Sequence, residues 1–240
     1  MRRLRDYCDG LANCATLEGV GTLFRGTVAR EGYASSACRV IAPARKAPHA
    51  RVLFRNWPED WAKLTEERNF RIRNPVLAAA LRRMDPFTWV DINDKRKKPA
   101  TEQEIWNTAS EWGWINGFVV PVHGPGGYFS CVSMASKEPN LDLSAERRAY
   151  LYLIALLAHE RCYALDEDSR RADQPPALSE RELECMRWVA AGKSDWEIGM
   201  ILTISSSTVR FHVDSARRKL DATTRPQAVA TLVARGLLTP

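Results

Sequence analysis

The sequence lacks long apolar runs and paired cysteines. No stretch approaches the roughly 20 apolar residues that a membrane-spanning helix needs. Arg2 and Arg3 are soon followed by Asp6, so we expect neither a signal peptide nor a transmembrane helix. None of the six cysteines stands in a Cys-x-x-Cys pair: they are Cys8, Cys14, Cys38, Cys131, Cys162 and Cys185. We therefore expect buried thiols in a reducing cytoplasm and no zinc site.

The charged residues are also not concentrated in one region of the sequence. The formal net charge of +6 fits a polyanionic partner. From Pro175 onward, however, nine basic side chains face seven acidic ones, so charge patterning does not locate a nucleic-acid site. With 240 residues and 45% apolar content, the chain can form two modest globular domains.

A polar segment predicts where these domains divide. The run Asp-Glu-Asp-Ser-Arg-Arg-Ala-Asp-Gln-Pro-Pro-Ala at 166–177 has no apolar periodicity and contains a proline pair. It is typical of an exposed linker. We predict a first domain at 1–165, a linker at 166–177 and a second domain at 178–240.

The first domain mixes helical and strand patterns. We predict helices at 2–30, 60–67, 75–84, 101–112 and 144–165, strands at 37–42, 51–55, 117–123 and 128–135, and an edge strand or turn at 86–90. Thr101 and Glu104 have capping-box spacing, which predicts the start of one helix. A basic, proline-containing link should occupy 43–50, and Gly124-Pro-Gly-Gly127 predicts a hairpin turn. Strands flanked by helices indicate an α+β sandwich.

The stretch 205–220 predicts an amphipathic helix. Val209, Val213, Ala216 and Leu220 share one apolar stripe. The opposite face carries Ser207, Arg210, Phe211, Asp214, Arg217 and Arg218. The arginine fork can meet a guanine edge or a phosphate, which favours a DNA-recognition helix over a merely solvated one.

Its neighbours predict three further helices. Ser179 and Glu182 have capping-box spacing, and Gly192 should end the first helix. A second helix at 196–202 leads through Thr203 and Ile204 to the recognition helix, and a fourth follows at 226–235. Four helices with a short turn between the second and third predict an all-α helix-turn-helix domain.

These motifs resemble the DNA-binding domain of the LuxR and NarL/FixJ regulators. The similarity runs through Leu-Ser-Glu-Arg-Glu, Ala-Gly-Lys-Ser, Thr-Val-Arg-Phe-His, Arg-Lys-Leu and Ala-Val-Ala, in order, from residue 178 to residue 238. It implies a third helix in the major groove of double-stranded DNA, with Arg210, Phe211 and Asp214 toward bases. The residues implied near phosphates are Lys193, Thr208, Arg217 and Arg218.

The same resemblance implies a homodimer. Dimerisation would use the fourth helix, where Ala228, Leu232 and Arg235 are predicted to form a small-residue face. Such a dimer would bind a two-fold symmetric promoter site.

Tryptophan is abundant in the first domain. Trp57, Trp61, Trp89, Trp112 and Trp114 lie near predicted element ends. Each brings a large apolar area and one N–H that needs an acceptor, so the cluster fits a closed pocket for an amphiphile. Core aromatics without a ligand are the alternative.

The order of these residues resembles the autoinducer-binding domain of LuxR-type quorum-sensing regulators. The similarity rests on Trp-Pro-x-x-Trp, Asn-Pro, Pro-Phe-x-Trp, Gly-Phe-x-x-Pro and Ser-Met-Ala between residues 57 and 135. It implies an α/β/α sandwich that binds an N-acyl-homoserine lactone. Trp61 would donate to the lactone carbonyl, Asn74 would face the ligand amide, Ser133 would bond the acyl carbonyl and Trp89 would pack on the lactone ring. The remaining implied ligand residues are Trp57, Thr65, Phe70 and Pro75.

Three positions depart from that family pattern. Asn74 stands where the family has Asp, Trp57 replaces a usual Tyr, and Thr65 replaces another. Neutral Asn74 accepts the ligand N–H less strongly than a carboxylate. An unusual acyl or aryl lactone, a different small molecule and no ligand at all therefore stay open.

An enzyme is the competing class. His123, Cys131 and Ser133 lie on the predicted hairpin, where a thiol and an imidazole could act together. No nucleophile elbow or oxyanion loop accompanies them, and no receiver-domain pattern of terminal acids is present. We expect no enzymatic activity and no cofactor, but a cytoplasmic, ligand-responsive transcription factor.

Overall fold

The computed structural model describes residues 2–41, 51–93, 99–124, 128–166 and 178–238. Apart from the hairpin turn, the chain divides into an N-terminal and a C-terminal compact unit. The predicted link at 43–50, three of the four turn residues and nearly all of the predicted linker lie outside the described residues. Asp166, where the linker was predicted to begin, is buried against the N-terminal unit and bonded to Arg51, so it is not exposed.

The N-terminal unit contains eight helices and five strands within its described residues. The helices are α1 Arg2–Ala12, α2 Leu17–Ala29, α3 Glu59–Glu67, α4 Phe70–Arg73, α5 Pro75–Ala80, α6 Trp89–Ile92, α7 Ala100–Glu111 and α8 Ala145–Leu165. The strands are β1 Ser35–Val40, β2 Arg51–Arg55, β3 Phe87–Thr88, β4 Asn116–His123 and β5 Phe129–Ser136.

The strands form one antiparallel sheet in the order β2-β1-β5-β4-β3. On one face, α1, α2 and α8 bury a core that includes Phe24, Phe118 and Ile154. The other face is covered by the α3–α7 segment, where smaller aromatic clusters surround a cavity. The predicted α/β/α sandwich is confirmed.

One predicted helix is in fact two. The chain turns at residues 13–16 between α1 and α2, because the Thr16 hydroxyl accepts the Gly19 N–H and starts a new helix. Leu11 and Phe24 are buried as expected, one on each helix. The error came from continuing an apolar period through a capping residue.

Two other local predictions were wrong. Helix α7 begins at Ala100 after Pro99, so Thr101 lies inside its first turn and does not cap it, and Glu104 pairs with Arg68 at 3.1 Å. Helix α5 ends at Ala80 and not at residue 84. The 86–90 segment forms both the short edge strand β3 and the start of α6.

The C-terminal unit contains the four predicted helices. They are α9 Glu180–Ala190, α10 Asp195–Leu202, α11 Ser206–Lys219 and α12 Arg225–Ala234. Ser179 and Glu182 form the predicted capping box, and Ser205 caps α11. The apolar stripe of α11 is buried throughout, so the amphipathic prediction is confirmed. This packing leaves the other face of α11 to solvent.

Candidate functional site

The N-terminal unit encloses a cavity of about 440 Å³ between the sheet and helices α3–α7. That volume lies in the range of small-molecule sites. Strands β1 and β5 form its floor, because alternate residues of a strand point to the same face. Helices α3, α5 and α7 supply most of its walls.

Tryptophan rings build one side of this cavity. Trp61 contacts Trp114 edge-to-face with ring centroids 4.7 Å apart, and Trp89 meets Trp106 in the same way at 5.4 Å. These tilted contacts favour the aromatic packing and keep the rings in place. The Trp89 indole also lies directly on Gly117 of β4, where any side chain would overlap it.

Every residue expected to contact a ligand lines the cavity except Pro75. The lining members are Trp57, Trp61, Thr65, Phe70, Asn74, Trp89 and Ser133. Pro75 occupies the first turn of α5, where a missing backbone N–H costs nothing. Its place in the motif is explained by helix initiation.

Asn74 has a second role that the sequence reading did not anticipate. Its side-chain oxygen accepts the backbone N–H groups of Val76 at 2.9 Å and Leu77 at 3.3 Å. It therefore caps α5. Since that oxygen already has two donors, the expectation that it accepts a ligand amide is revised: the amide NH₂ is the part left to face the cavity.

The other polar groups of the cavity wall differ in whether their hydrogen-bonding atoms already have partners. The Thr65 hydroxyl donates to the Ala62 carbonyl at 2.9 Å, so its side chain is satisfied locally. Within the described residues, the buried Trp89 indole N–H has no hydrogen-bond partner. The indole nitrogen packs against Gly117 of β4, so its N–H does not face the open part of the cavity.

Trp106 and Arg39 are among the lining residues that were not predicted to contact a ligand. Arg39 lies on β1 opposite Cys131 of β5, and its guanidinium carbon is 4.5 Å from the centroid of the Trp57 ring. The available signal was a lone charge within a strand otherwise rich in small and apolar residues. Trp106 lies inside a predicted helix, where it was not separated from ordinary core residues.

The hairpin does not form a nucleophile and base pair. His123 is paired with Phe129, and its Nε2 lies 3.0 Å from the Arg83 carbonyl oxygen, to which it donates. Burial raises the pKa of the Cys131 thiol, so the thiolate is disfavoured. The hairpin residues therefore act in packing and cavity lining.

In the C-terminal unit, Glu182 connects α9 to the recognition helix. Its buried carboxylate accepts from Ser215 at 2.7 Å, from Lys219 at 2.8 Å and from the Ser179 backbone N–H at 2.7 Å. Burial alone would raise the pKa of Glu182, but these hydrogen bonds lower it to about 2. The carboxylate thus fixes α11 against the start of α9.

The connection between α10 and α11 is equally tight. A Cβ on Gly199 would lie 2.7 Å from the Ile204 carbonyl oxygen, closer than side-chain carbons come to backbone. Only glycine allows the two helices to approach in this way. The turn therefore holds α11 in the position expected of a recognition helix.

The outer face of α11 is polar with one exposed ring. Ser207, Thr208, Arg210 and Arg218 are exposed, and Phe211 is 62% exposed. The Ser205 hydroxyl lies 2.7 Å from those of Ser207 and Thr208, which orders the first turn. This surface can present guanidinium, hydroxyl and aromatic groups to DNA.

Arg217 and Asp214 are engaged with the protein itself. Arg217 pairs with Asp214 at 2.8 Å and also donates to the Thr223 carbonyl, closing the end of α11 onto the next turn. This pair gives the carboxylate at position 214 a role within the protein. The expectations of a base contact for Asp214 and a phosphate contact for Arg217 require that these bonds open.

Arg210 and Lys193 are held more loosely than Arg217. Asp195 forms a two-bond pair with Arg225 at 2.6 and 2.8 Å, and the largely exposed Arg210 touches the same carboxylate at 3.5 Å. The bonds from Arg225 are the main reason that the pKa of Asp195 is lowered. Lys193 pairs with Glu197 at 3.3 Å on the surface. Arg210 can therefore leave its weak partner at small cost.

The predicted small-residue face of α12 was wrong. Ala228 and Leu232 are fully buried in the core of their own unit and cannot meet a second chain. The exposed positions of this helix are Pro226, Ala230 and Ala234, spaced by four residues. The sequence pattern did not show which side of a mostly apolar helix faces the core.

Within the described ranges, none of the helices has the length and apolar content to span a membrane. No group of three or more His, Cys, Asp and Glu side chains is arranged to hold a metal ion in the same ranges.

A small-molecule cavity and a helix-turn-helix unit together define a ligand-responsive DNA-binding regulator. Residues 16–162 match the family model of the autoinducer binding domain, and residues 176–232 match that of bacterial regulatory proteins of the luxR family. The chain belongs to the LuxR-type quorum-sensing transcriptional regulators. Its families and relatives are regulators and not enzymes.

Two curated relatives illustrate the similarity. The quorum sensing-dependent transcriptional regulator RpaR of Rhodopseudomonas palustris is 36% identical over 197 residues, covering 82% of this chain and 79% of that protein. The transcriptional activator protein BjaR1 of Bradyrhizobium diazoefficiens is 29% identical over 247 residues, covering 100% and 97% of the two chains.

Solved structures show the same fold. The crystal structure of Escherichia coli SdiA matches with a TM-score of 0.76 at 24% identity, covering 98% of each chain. SdiA in complex with octanoyl-rac-glycerol also gives a TM-score of 0.76, at 26% identity, covering 97% of this chain and 94% of that one. The two-unit architecture is therefore an established one.

Proposed function

We propose that the cavity binds an amphiphile of the N-acyl-homoserine lactone type and that its occupancy controls DNA binding by α11. The observation that carries this proposal is the tryptophan-lined cavity between the sheet and helices α3–α7. Its rings provide apolar contact for an acyl chain.

We assign a separate ligand contact to each of the cavity side chains. In this proposal Trp61 bonds the lactone carbonyl, Ser133 bonds the acyl carbonyl and Trp89 packs on the lactone ring. Trp57, Thr65 and Phe70 shape the space for the chain. A ligand without an amide N–H is the second candidate, since the Asn74 oxygen is already used in capping α5. The glycerol ester bound by SdiA is a suitable probe of that candidate.

The experiment is a thermal-unfolding measurement on the ligand-free chain, with and without a panel of acyl-homoserine lactones and octanoyl glycerol. Binding to the native state raises the midpoint, because the stabilisation grows with the logarithm of the ligand concentration relative to Kd. Each ligand is then added to a DNA-binding titration. A panel that leaves both the midpoint and the DNA affinity unchanged would favour an orphan regulator that works without ligand.

Replacing Asn74 with aspartate is expected to increase the affinity for a standard lactone by about 1 kcal/mol. One carboxylate oxygen can keep the cap of α5 while the other accepts the ligand N–H. Because aspartate caps helices as well as asparagine does, the ligand-free variant should keep its stability within about 0.5 kcal/mol. Lactone titrations monitored by tryptophan fluorescence provide the measurement.

Asn74→Ala is the matched control for this substitution. It removes the cap and is expected to cost about 1 kcal/mol of stability without any gain in affinity. If Asn74→Asp destabilises the chain as much as alanine does and no lactone restores it, the ligand amide does not lie at this position.

For DNA, we propose that a homodimer in the cytoplasm places α11 of each chain in the major groove of a two-fold symmetric site. Arg210, Phe211 and Ser207 are proposed to read bases, with Asp214 joining them only if its bond to Arg217 opens. The proposed phosphate contacts are Lys193, Thr208, Arg217 and Arg218. The exposed Pro226, Ala230 and Ala234 replace the buried α12 residues as the proposed dimer face, and half-sites should lie roughly 10 base pairs apart.

Arg210→Ala is expected to lower the affinity for the specific site by about 1 to 3 kcal/mol and to leave random DNA nearly unaffected. The exposed side chain gives up only its weak contact with Asp195, so stability should hardly change. Fluorescence anisotropy with both DNAs, at several salt concentrations, measures the two affinities.

Arg218→Ala is the control for charge alone. It should lower the affinity for both DNAs alike and reduce the number of counterions released on binding by roughly one, which makes the salt dependence of the affinity less steep. Equal losses on specific and random DNA for Arg210→Ala would assign that arginine to the phosphate backbone as well.

A further inference from the structure

The Arg39 guanidinium stands out among the groups that line the ligand cavity. Its Nε is buried without a hydrogen-bond partner, and none of the described carboxylates pairs with it. Arg39 as a residue is half-buried, and it lines the cavity. Such a cation requires an acceptor, which is either water or an anionic group on the bound molecule.

The neighbours of Arg39 do not satisfy this requirement. Trp57 offers the face of its ring 4.5 Å away, which attracts a cation but accepts no strong hydrogen bond. Burial raises the pKa of Cys131, opposite on β5, while the charge of Arg39 and a hydrogen bond with it act to lower that pKa, and a thiol sulfur is only a weak acceptor. Glu66 is the acidic residue among the lining side chains, and it is exposed to solvent.

The position of Arg39 fixes where such an anion would lie. Along β5, Ala135 contributes to the tryptophan cluster, Ser133 follows, and Cys131 next to Arg39 comes after it. Two residues of a strand span roughly 7 Å, so the Arg39 backbone lies about 7 Å along the sheet from the β1 residue that pairs with Ser133. The guanidinium is therefore a second polar site, on the Trp57 side of the cavity.

We propose that the natural ligand is an acidic amphiphile, whose carboxylate binds Arg39 while its chain packs on Trp57. This inference rests on the proposed small-molecule function and names the chemical class of the ligand. An arginine guanidinium donates two parallel hydrogen bonds to a carboxylate, and this pairing is stronger than one between neutral groups. A wholly apolar chain in the same place would leave the guanidinium unpaired and is therefore disfavoured.

The test compares acyl-homoserine lactones of equal chain length that end in a carboxylate, a methyl ester or a methyl group, over several lengths. With the full chain, the carboxylate is expected to bind about 10- to 100-fold more tightly than its methyl ester. Arg39→Met should abolish this preference while retaining side-chain length. Arg39→Lys should keep part of it, since the charge remains but the fork is lost.

Two control variants remove a positive charge elsewhere. Arg55→Met changes an exposed arginine that also borders the cavity, and Arg25→Met changes an exposed one on α2. The carboxylate preference should survive in both. Equal binding of ester and carboxylate by the natural chain, persistence of the preference in Arg39→Met, or its loss in Arg55→Met would each overturn the inference.

Octanoate without a lactone ring separates the two proposals. If no lactone binds but octanoate raises the unfolding midpoint of the natural chain and not that of Arg39→Met, the lactone function fails and the Arg39 inference stands. If neutral lactones bind and no carboxylate is preferred, only the Arg39 inference fails. If nothing in either series binds, both fail.

Discussion

Glu182→Gln is expected to lower the free energy of unfolding of the C-terminal unit by about 2 kcal/mol, because hydrogen bonds to a charged group are worth more than neutral ones. Glutamine keeps the size of the side chain and can still complete the capping box with Ser179. What it loses is the charge that holds Ser215 and Lys219 of α11. The substitution therefore loosens the recognition helix, and DNA affinity should fall with it.

The pH dependence of the same group gives an independent measurement. Its folded-state pKa of about 2 lies below that of the unfolded chain, so its contribution is complete above the unfolded value and is lost as the pH falls through about 2. The loss amounts to about 3 kcal/mol over that window. Glu182→Gln should flatten this part of the stability profile.

Hydrogen exchange of the α9 and α11 amides in the full chain resolves this unit from the other one. Glu184→Gln is the control, since its pair with Arg181 is exposed and its loss should cost less than about 0.5 kcal/mol. An equally small loss for Glu182→Gln would mean that water replaces the carboxylate and that packing alone positions α11.

Gly117→Val is expected to destabilise the N-terminal unit by about 2 kcal/mol and to remove ligand binding. Valine suits a strand, so the loss would arise from tertiary contact and not from the backbone. A Cβ at this position would lie 2.2 Å from the Trp89 indole, which must leave its place in the cavity wall. The unfolding midpoint with and without ligand measures both effects.

Gly26→Ala provides the opposite control. No atom lies within 4 Å of a Cβ there, and the residue is inside α2, so alanine should stabilise the chain by about 0.5 to 1 kcal/mol and preserve the ligand response. Pairing Gly117→Ala with Trp89→Phe should cost less than the two single changes added together. Additive losses would show that Trp89 is not what Gly117 accommodates.

Local signals in the sequence were reliable where neighbours along the chain decide the outcome. Ser179 and Glu182 form their capping box, and the four apolar residues of α11 are buried as their spacing predicts. The same capping-box spacing at Thr101 and Glu104 failed, because α7 begins at Ala100 after Pro99 and Thr101 lies inside the first turn. Matching residue types therefore predict a cap only where the helix begins at the first of them.

The sequence by itself determined that this protein has an α/β/α unit followed by a helix-turn-helix, because apolar periodicity, caps and motif order depend on residues close together in the chain. Only the tertiary structure decided which polar groups are already satisfied. In the structure the Asn74 oxygen caps α5, Asp214 pairs with Arg217, and the Nε of Arg39 has no hydrogen-bond partner among the described residues. These assignments depend on distances between side chains, and folding brings residues far apart in sequence, such as Arg39 and Cys131, next to each other.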